Sequence, residues 1–505
     1  MRVVDDIADF VIVGTGAGGA TAARVLAGAG LDVLMVEEGP QLKTSERPAQ
    51  VADAMAMALR DFATSTTSGS YPLPLLQGRC VGGATAVNSG IIWRLPEDVR
   101  AQWIAEHGLD ELVGERALTD AYEHIERELE VTDTPPSLWG GNSERMAVAA
   151  QKMGLPGKAI ARNAARCKGS SRCLQGCPTE ARQSMDVSYV PRAMRDGARL
   201  LTLARVDRVL MEWGRAVGVE GVLVDRETRR PVARFRVMAR RAVILSASAI
   251  QTPVILRRSG IRGLVGDRFQ AHPGCAVVGR FDEPVTMSFG ATQGYEVPLR
   301  ERRLKLETLT LPPELLAPRL PGAGAPWQKR LTELDHYAQW SALCRMEAHG
   351  TVRPSLFGGG SAATVRFNPT TADMLRLRDG IQLMARMMFA AGATEVFPGI
   401  GGFTPVLRDP SEIDAIASVS LRPQHLNMIA SHLFGTACAG RDARRSVVDE
   451  NLAVHGVAGL HVMDSSVFPT NLGVNPQHSI MAVVWVAASR LANQATSAST
   501  LRATG

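Results

Sequence analysis

Four apolar residues, Phe10 to Val13, run into a cluster of glycines, and the alanine-rich stretch Ala20 to Ala29 follows with the composition of a helix. A second apolar run, Val33 to Val36, ends at Glu37. This order predicts strand, helix and strand, a βαβ unit over about residues 8 to 40. Helical spacing recurs from Glu97 to Glu106, Glu115 to Glu130 and Asn142 to Met153. Between Leu200 and Leu245 the period shortens. Strands are predicted at Val206 to Met211, Val217 to Val224, Ala233 to Val237 and Ala242 to Leu245, with a charged turn from Asp225 to Pro231. Ser246 to Arg257 reads as a turn entering a helix.

The middle of the chain, about 273 to 430, shows no sustained period and is rich in Pro and Gly. His432 to Leu491 returns to short apolar strands and closes with an alanine-rich helix. No internal repeat is present. The expected fold is α/β: a Rossmann-like nucleotide domain interrupted by an inserted α+β domain before its last strand. The expected boundaries are 1–272 and 431–505 for the nucleotide domain and 273–430 for the insertion.

Composition narrows the function classes. A chain of 505 residues with 45% hydrophobic and 21% charged residues can bury large cores and is not a disordered segment. It has no apolar run of the length a membrane span needs. Asp5, Asp6 and Asp9 stand where a signal peptide would carry a basic and then an apolar region, so a cytoplasmic location is expected, with export alongside a partner left open. The net charge of +6 is dispersed, and runs such as Arg226 to Arg230 and Arg300 to Arg303 read as solvated turns. Without a basic stripe or a known module, nucleic-acid binding is not expected.

The glycines carry the first chemistry. In Gly14-Thr-Gly16-Ala-Gly-Gly19, Gly14 permits the tight turn, Gly16 lets backbone N–H groups approach a pyrophosphate, and Gly19 lets helix and strand pack closely. The helix N-terminus favours the phosphates, and Glu37 can accept hydrogen bonds from ribose hydroxyls. A second glycine element, Gly82-Gly83-Ala-Thr-Ala-Val-Asn88, follows.

Together with Ile244 to Pro253, His432-Leu-Phe-Gly435-Thr436, Val462-Met-Asp464 and Gly473-Val-Asn475-Pro476, these motifs resemble the glucose–methanol–choline (GMC) oxidoreductases, FAD-dependent enzymes acting on alcohols. The resemblance spans both ends of the chain and is poor in the middle. It implies FAD as cofactor, with Gly82, Gly83 and Asn88 along the flavin and its diphosphate and Asp464 close to the cofactor. It also implies His432 as the base for the hydroxyl proton and Asn475 as donor to the alkoxide, beside the flavin. His478 is the rival for a catalytic role. Some relatives tether FAD through a histidine just before the equivalent of Asn88; Val87 stands there, so non-covalent FAD is implied.

Seven cysteines is an odd count for a disulfide framework, and Cys167, Cys173 and Cys177 cluster within eleven residues. Close thiolates among glycines suit an iron–sulfur cluster, whereas zinc calls for a fourth ligand that is not nearby in sequence. The spacing resembles that of FAD-dependent glucose and glycoside dehydrogenases and implies a 3Fe–4S cluster (or 4Fe–4S with one iron ligated otherwise), although long-chain alcohol oxidase-like relatives also carry cysteines here. The alternative is a disulfide or inert thiols. The expected activity is an FAD-dependent alcohol dehydrogenase passing electrons through the cluster to a protein or quinone. An O2-using alcohol oxidase and a non-redox lyase of the hydroxynitrile type are the rivals.

Overall fold

Strand Val3–Val13 is the centre of a parallel core in the computed structural model, which describes residues 3–357 and 360–503. It pairs in parallel with Val33–Val36 on one side and with Pro231–Leu245 on the other. Arg199–Leu201 extends the sheet beyond Val33–Val36, and Leu460–Val462 pairs in parallel with Pro231–Leu245. Ala204–Glu212, Arg215–Val224 and Pro231–Leu245 form an antiparallel meander on the far side, making seven strands. Helix Ala17–Gly28 packs on helix Gln477–Ala503, so the two ends of the chain share one core.

Two expected strands, Ala233 to Val237 and Ala242 to Leu245, are one continuous strand, Pro231–Leu245. The charged residues that broke the pattern are accommodated at its side. Arg240 reaches Asp9 and Asp32, and Arg241 reaches Asp9, while the backbone ladder to Val3–Val13 continues around a bulge. The helices Glu97–His107, Glu115–Glu128 and Gly140–Lys152 lie within a few residues of their expected bounds. The first stops at Gly108, whose φ of 65° is the left-handed cap that glycine adopts without strain.

The stretch from 273 to 430 is far more regular than its pattern indicates. It supplies five strands of a six-stranded sheet in the order Glu395–Phe397, Gly274–Arg280, Tyr337–Cys344, Leu304–Thr308 and Tyr295–Leu299, with Lys158–Ala159 at the edge. The 20-residue helix Thr371–Ala390 lies against this sheet, its N-terminus closed by a reciprocal Thr370/Asp373 capping box. Tyr337–Cys344 and Leu304–Thr308 are buried at every position, and Tyr337–Cys344 lacks the alternation that marks a half-exposed strand. Helix Gly140–Lys152 also packs into this second core. No helix among the described residues is long and apolar enough to cross a membrane.

Candidate active site

The glycine cradle is built by close backbone approach. A Cβ on Gly14 would lie 2.3 Å from Ser246 O, and one on Gly19 would lie 2.0 Å from Gly14 O. Gly18, which pattern reading passed over, is equally constrained: its Cβ would meet Met463 O at 1.9 Å. Gly16 is different, because a Cβ there would meet no protein atom within 4 Å. The open space at the helix N-terminus is what a diphosphate needs. Gly83 closes the other side, its Cβ position 3.0 Å from Gly16 Cα.

Thr15 ties the two glycine elements together. Its hydroxyl donates to Glu37 Oε2 at 2.7 Å and accepts from Gly82 N–H at 3.1 Å. Glu37 also accepts from the Thr15 and Gly39 N–H groups, each at 2.9 Å. Burial pushes its carboxyl pKa up against those hydrogen bonds. A carboxylate offers about four acceptor positions, so these three donors leave room for a ribose hydroxyl. Asp464 sits where Leu460–Val462 ends against the start of helix Ala17–Gly28. Its carboxylate caps the turn Ser465–Val467 through Ser466 N–H and accepts from Ser248 N–H and Thr252 Oγ1. Asn88 donates to Gln477 Oε1 at 2.6 Å, joining the second glycine element to the start of the last helix. This constellation fits an FAD: a glycine cradle open at Gly16, a buried acid at the ribose end, and a loop running from it to the candidate catalytic pair.

Strand pairing gives His432 its partner. Gln270–Ala271 runs antiparallel to Leu433–Phe434, and the register, extended by one residue, sets His272 opposite His432. His272 Nε2 lies 2.6 Å from His432 Nδ1. Two tautomeric patterns satisfy this contact. In one, Gly473 N–H donates to His272 Nδ1 at 3.2 Å, and His432 carries its proton on Nε2. In the other, His272 Nδ1–H turns to the buried, otherwise unpartnered Asn471 Oδ1, His432 donates from Nδ1, and its Nε2 lone pair is free. Only the second makes His432 a base. Burial, reinforced by the charge of Lys305, pushes the His432 pKa down to about 3. His272 is held well below the usual imidazole range, first by burial and then by His432, Lys305 and Arg300.

Asn475 is 8% exposed, and its Oδ1 accepts from Lys305 Nζ at 2.6 Å. Neither Asn475 Nδ2 nor His432 Nε2 has a hydrogen-bond partner among the described residues, and neither is sealed from solvent. These two atoms are therefore the free donor and acceptor of the site. His478 is not part of it. Its Nε2 lies 3.0 Å from Glu126 Oε1, its ring packs on Tyr122, and it is fully buried against helix Glu115–Glu128.

The cysteine loop is organised around arginine. Arg162 Nη2 lies 3.2 Å from Cys173 Sγ and its Nη1 lies 3.9 Å from Cys167 Sγ, while Nε donates to Ser89 O. Arg182 holds Cys173 O at 2.8 Å and Ala86 O at 2.5 Å, and also binds Asn88 O. Burial pushes the Cys173 thiol up, but the Arg162 and Arg182 charges outweigh it and leave the pKa below the usual thiol value. Cys177 contacts Thr179 Oγ1 instead. Among the described residues, no three His, Cys, Asp or Glu side chains converge to hold a metal ion. As arranged, the three thiols do not fit the 3Fe–4S cluster expected from their spacing, because Cys167 and Cys173 contact the Arg162 guanidinium while Cys177 contacts Thr179, and the three do not converge.

Comparison with known proteins agrees with the fold. Two models described as GMC oxidoreductase match residues 8–274 and 353–483. The chain belongs to the GMC oxidoreductase family. An uncharacterized GMC-type oxidoreductase of Mycobacterium tuberculosis is 35% identical over 96% of this chain and 75% of its own length. A second, from Sinorhizobium fredii, is 33% identical over 95% of this chain and 93% of its own. A long-chain-alcohol oxidase of Arabidopsis thaliana is 25% identical over 96% of this chain and 67% of its own. Among solved GMC-like structures, a formate oxidase superimposes with a TM-score of 0.76 at 16% identity, covering 97% of this chain and 99% of its own. Pyridoxine 4-oxidase from Mesorbium loti gives 0.71 at 17%, covering 96% and 99%. At these identities the structures establish the fold. The GMC motifs did not reveal His272, Lys305 or Arg162, which lie outside every pattern read from the sequence.

Proposed function

We propose that this GMC oxidoreductase oxidises an alcohol at a CH–OH carbon. FAD, when bound, supplies the hydride acceptor at its N5. His432, in the tautomer with Nε2 free, takes the hydroxyl proton, and Asn475 Nδ2–H donates to the oxygen as charge develops on it. His272 fixes the ring of His432. In this reading residues 1–272 and 431–505 form the FAD-binding domain and 273–430 the substrate-binding domain, except that Gly140–Lys152 and Lys158–Ala159 pack with the latter. Gly14, Gly16, Gly19, Gly82 and Gly83 line the cofactor, Glu37 binds at its ribose end, and Asn88 and Asp464 lie beside it.

The observation that carries this reading is the pair of unengaged atoms, His432 Nε2 and Asn475 Nδ2, neither of which is sealed from solvent. No electron step is routed through a 3Fe–4S cluster, since Cys167, Cys173 and Cys177 do not fit one. We assign dioxygen as the electron acceptor, on the support of the alcohol-oxidase relatives. The test is an anaerobic screen of alcohols for flavin bleaching, followed by turnover in air with peroxide measured. His432→Ala is expected to slow bleaching about 10²- to 10⁴-fold with FAD content unchanged. Wild-type bleaching rates in that variant would overturn the assignment of the base.

A further inference from the structure

Strand Leu304–Thr308 buries an ammonium group. Lys305 is 0% exposed and lies 2.7 Å from Glu296, 2.6 Å from Glu307 and 2.6 Å from Asn475 Oδ1. Glu296 and Glu307 face each other directly across the antiparallel pair, an arrangement that repels unless a cation stands between them. The rest of the network is satisfied as well. Trp93 Nε1–H donates to Glu296 at 3.0 Å, Lys158 approaches Glu296 at 3.6 Å, and Gln293 donates to Glu307 at 2.7 Å. An ammonium has three donors, and Lys305 spends two on carboxylates and the third on Asn475. One carboxylate would already neutralise Lys305, so its contact with the amide has a consequence of its own.

That consequence is orientation. An asparagine amide can present either its oxygen or its NH2 to a given side. Turning Asn475 over would set Nδ2 against Nζ, donor against donor, and leave a buried ammonium with an unmet hydrogen. Resting on the alcohol-oxidation reading above, we propose that Lys305 is a positioning residue, which by holding Oδ1 of Asn475 aims Nδ2–H2 at the reacting oxygen. Its charge also disfavours protonation of His432 and, together with that of Arg300, of His272.

The test uses the FAD-loaded enzyme. Lys305→Met alone leaves two carboxylates opposed and can unfold the protein. The deciding variant is therefore Glu296→Gln/Lys305→Met/Glu307→Gln, which leaves no charge unpaired on these two strands. With 1-octanol as the probe, anaerobic flavin bleaching is expected to slow about 10²-fold, the order of a lost oxyanion donor. Asn475→Ala is expected to cost a similar factor. Combining it with the triple variant is expected to cost nothing more, because Lys305 acts through Asn475. Losses that multiply, or a triple variant as fast as wild type, would overturn the proposal. Glu296→Gln/Lys305→Gln/Glu307→Gln, which restores a neutral donor, is expected to recover part of the rate, and a rate no better than with Met would count against orientation. The second readout needs no substrate. In enzyme labelled with 15N-asparagine, the Asn475 side-chain amide, assigned by its absence in Asn475→Ala, is expected to shift and broaden in the triple variant, and an unchanged signal would overturn the proposal. If 1-octanol leaves the wild-type flavin oxidised, it is the alcohol reading that fails for this probe, and the amide signal still decides the role of Lys305.

Discussion

His272 Nε2 lies 2.6 Å from His432 Nδ1, so the ring that would take the substrate proton is itself held by a second imidazole. The contact follows from a two-residue ladder, Gln270–Ala271 against Leu433–Phe434. A group that fixes the orientation and tautomer of a histidine is worth about 10- to 100-fold where that histidine binds a metal, and the same order is taken for this base. We expect His272→Ala to slow flavin reduction by about that factor with FAD retained, and His272→Gln, whose amide oxygen can accept from His432 Nδ1–H as His272 Nε2 does, to keep more of the rate. A stopped-flow comparison checks both. Wild-type rates in His272→Ala would remove this histidine from the mechanism.

The low pKa of His432 has a direct consequence for pH dependence. A base works only while unprotonated, and a pKa displaced from the usual 6.5 to about 3 keeps it so throughout mildly acidic solution. The rate of flavin reduction is therefore expected not to fall between pH 8 and pH 5 through this group. The measurement is the pH profile of single-turnover bleaching. A falling limb near pH 6 to 7 would show that His432 titrates as an ordinary imidazole.

The glycines separate into two kinds, and alanine substitution tells them apart. Gly16 has φ near −67° and open space where a Cβ would go, so Gly16→Ala is expected to fold with near wild-type thermal stability and lose FAD. Gly19→Ala would drive a Cβ into Gly14 O at 2.0 Å and is expected to lower the unfolding temperature of the apoprotein itself. Thermal unfolding with and without added FAD distinguishes the two, and equal destabilisation by both would refute the distinction.

Val87 lies on the short helical turn Gly83–Val87, directly before Asn88, and offers no nucleophile. We expect all the flavin to be released by acid precipitation or heat. Flavin retained by the precipitated chain would show that another residue tethers it.

The arginine-lined cysteine loop makes a prediction about iron. With Cys167 and Cys173 turned to Arg162, protein prepared without oxygen is expected to contain no stoichiometric iron by metal analysis. About three irons per chain with a paramagnetic signal in the oxidised state would restore the three-thiolate cluster.

The sequence by itself determined the βαβ unit, its glycines and Glu37, because turn chemistry and hydrophobic period are local and act within some thirty residues. It also determined the family, through motifs strung along both ends of the chain, and singled out His432 and Asn475. Only the tertiary structure decided what those residues face. Leu304-Lys305-Leu306-Glu307 alternates like a half-exposed strand, yet neighbours on both faces bury it, and the charges survive there because Glu296, Glu307 and Asn475 arrive from elsewhere in the chain. His478, one turn beyond Asn475 in sequence, is turned away by Glu126 on a helix more than three hundred residues earlier. The cysteines are close in sequence, but whether their sulfurs converge on a metal or on Arg162 depends on where the folded backbone sets each one. Partners distant along the chain leave no periodic trace, and burial of a charge shows only once the groups that compensate it are in place.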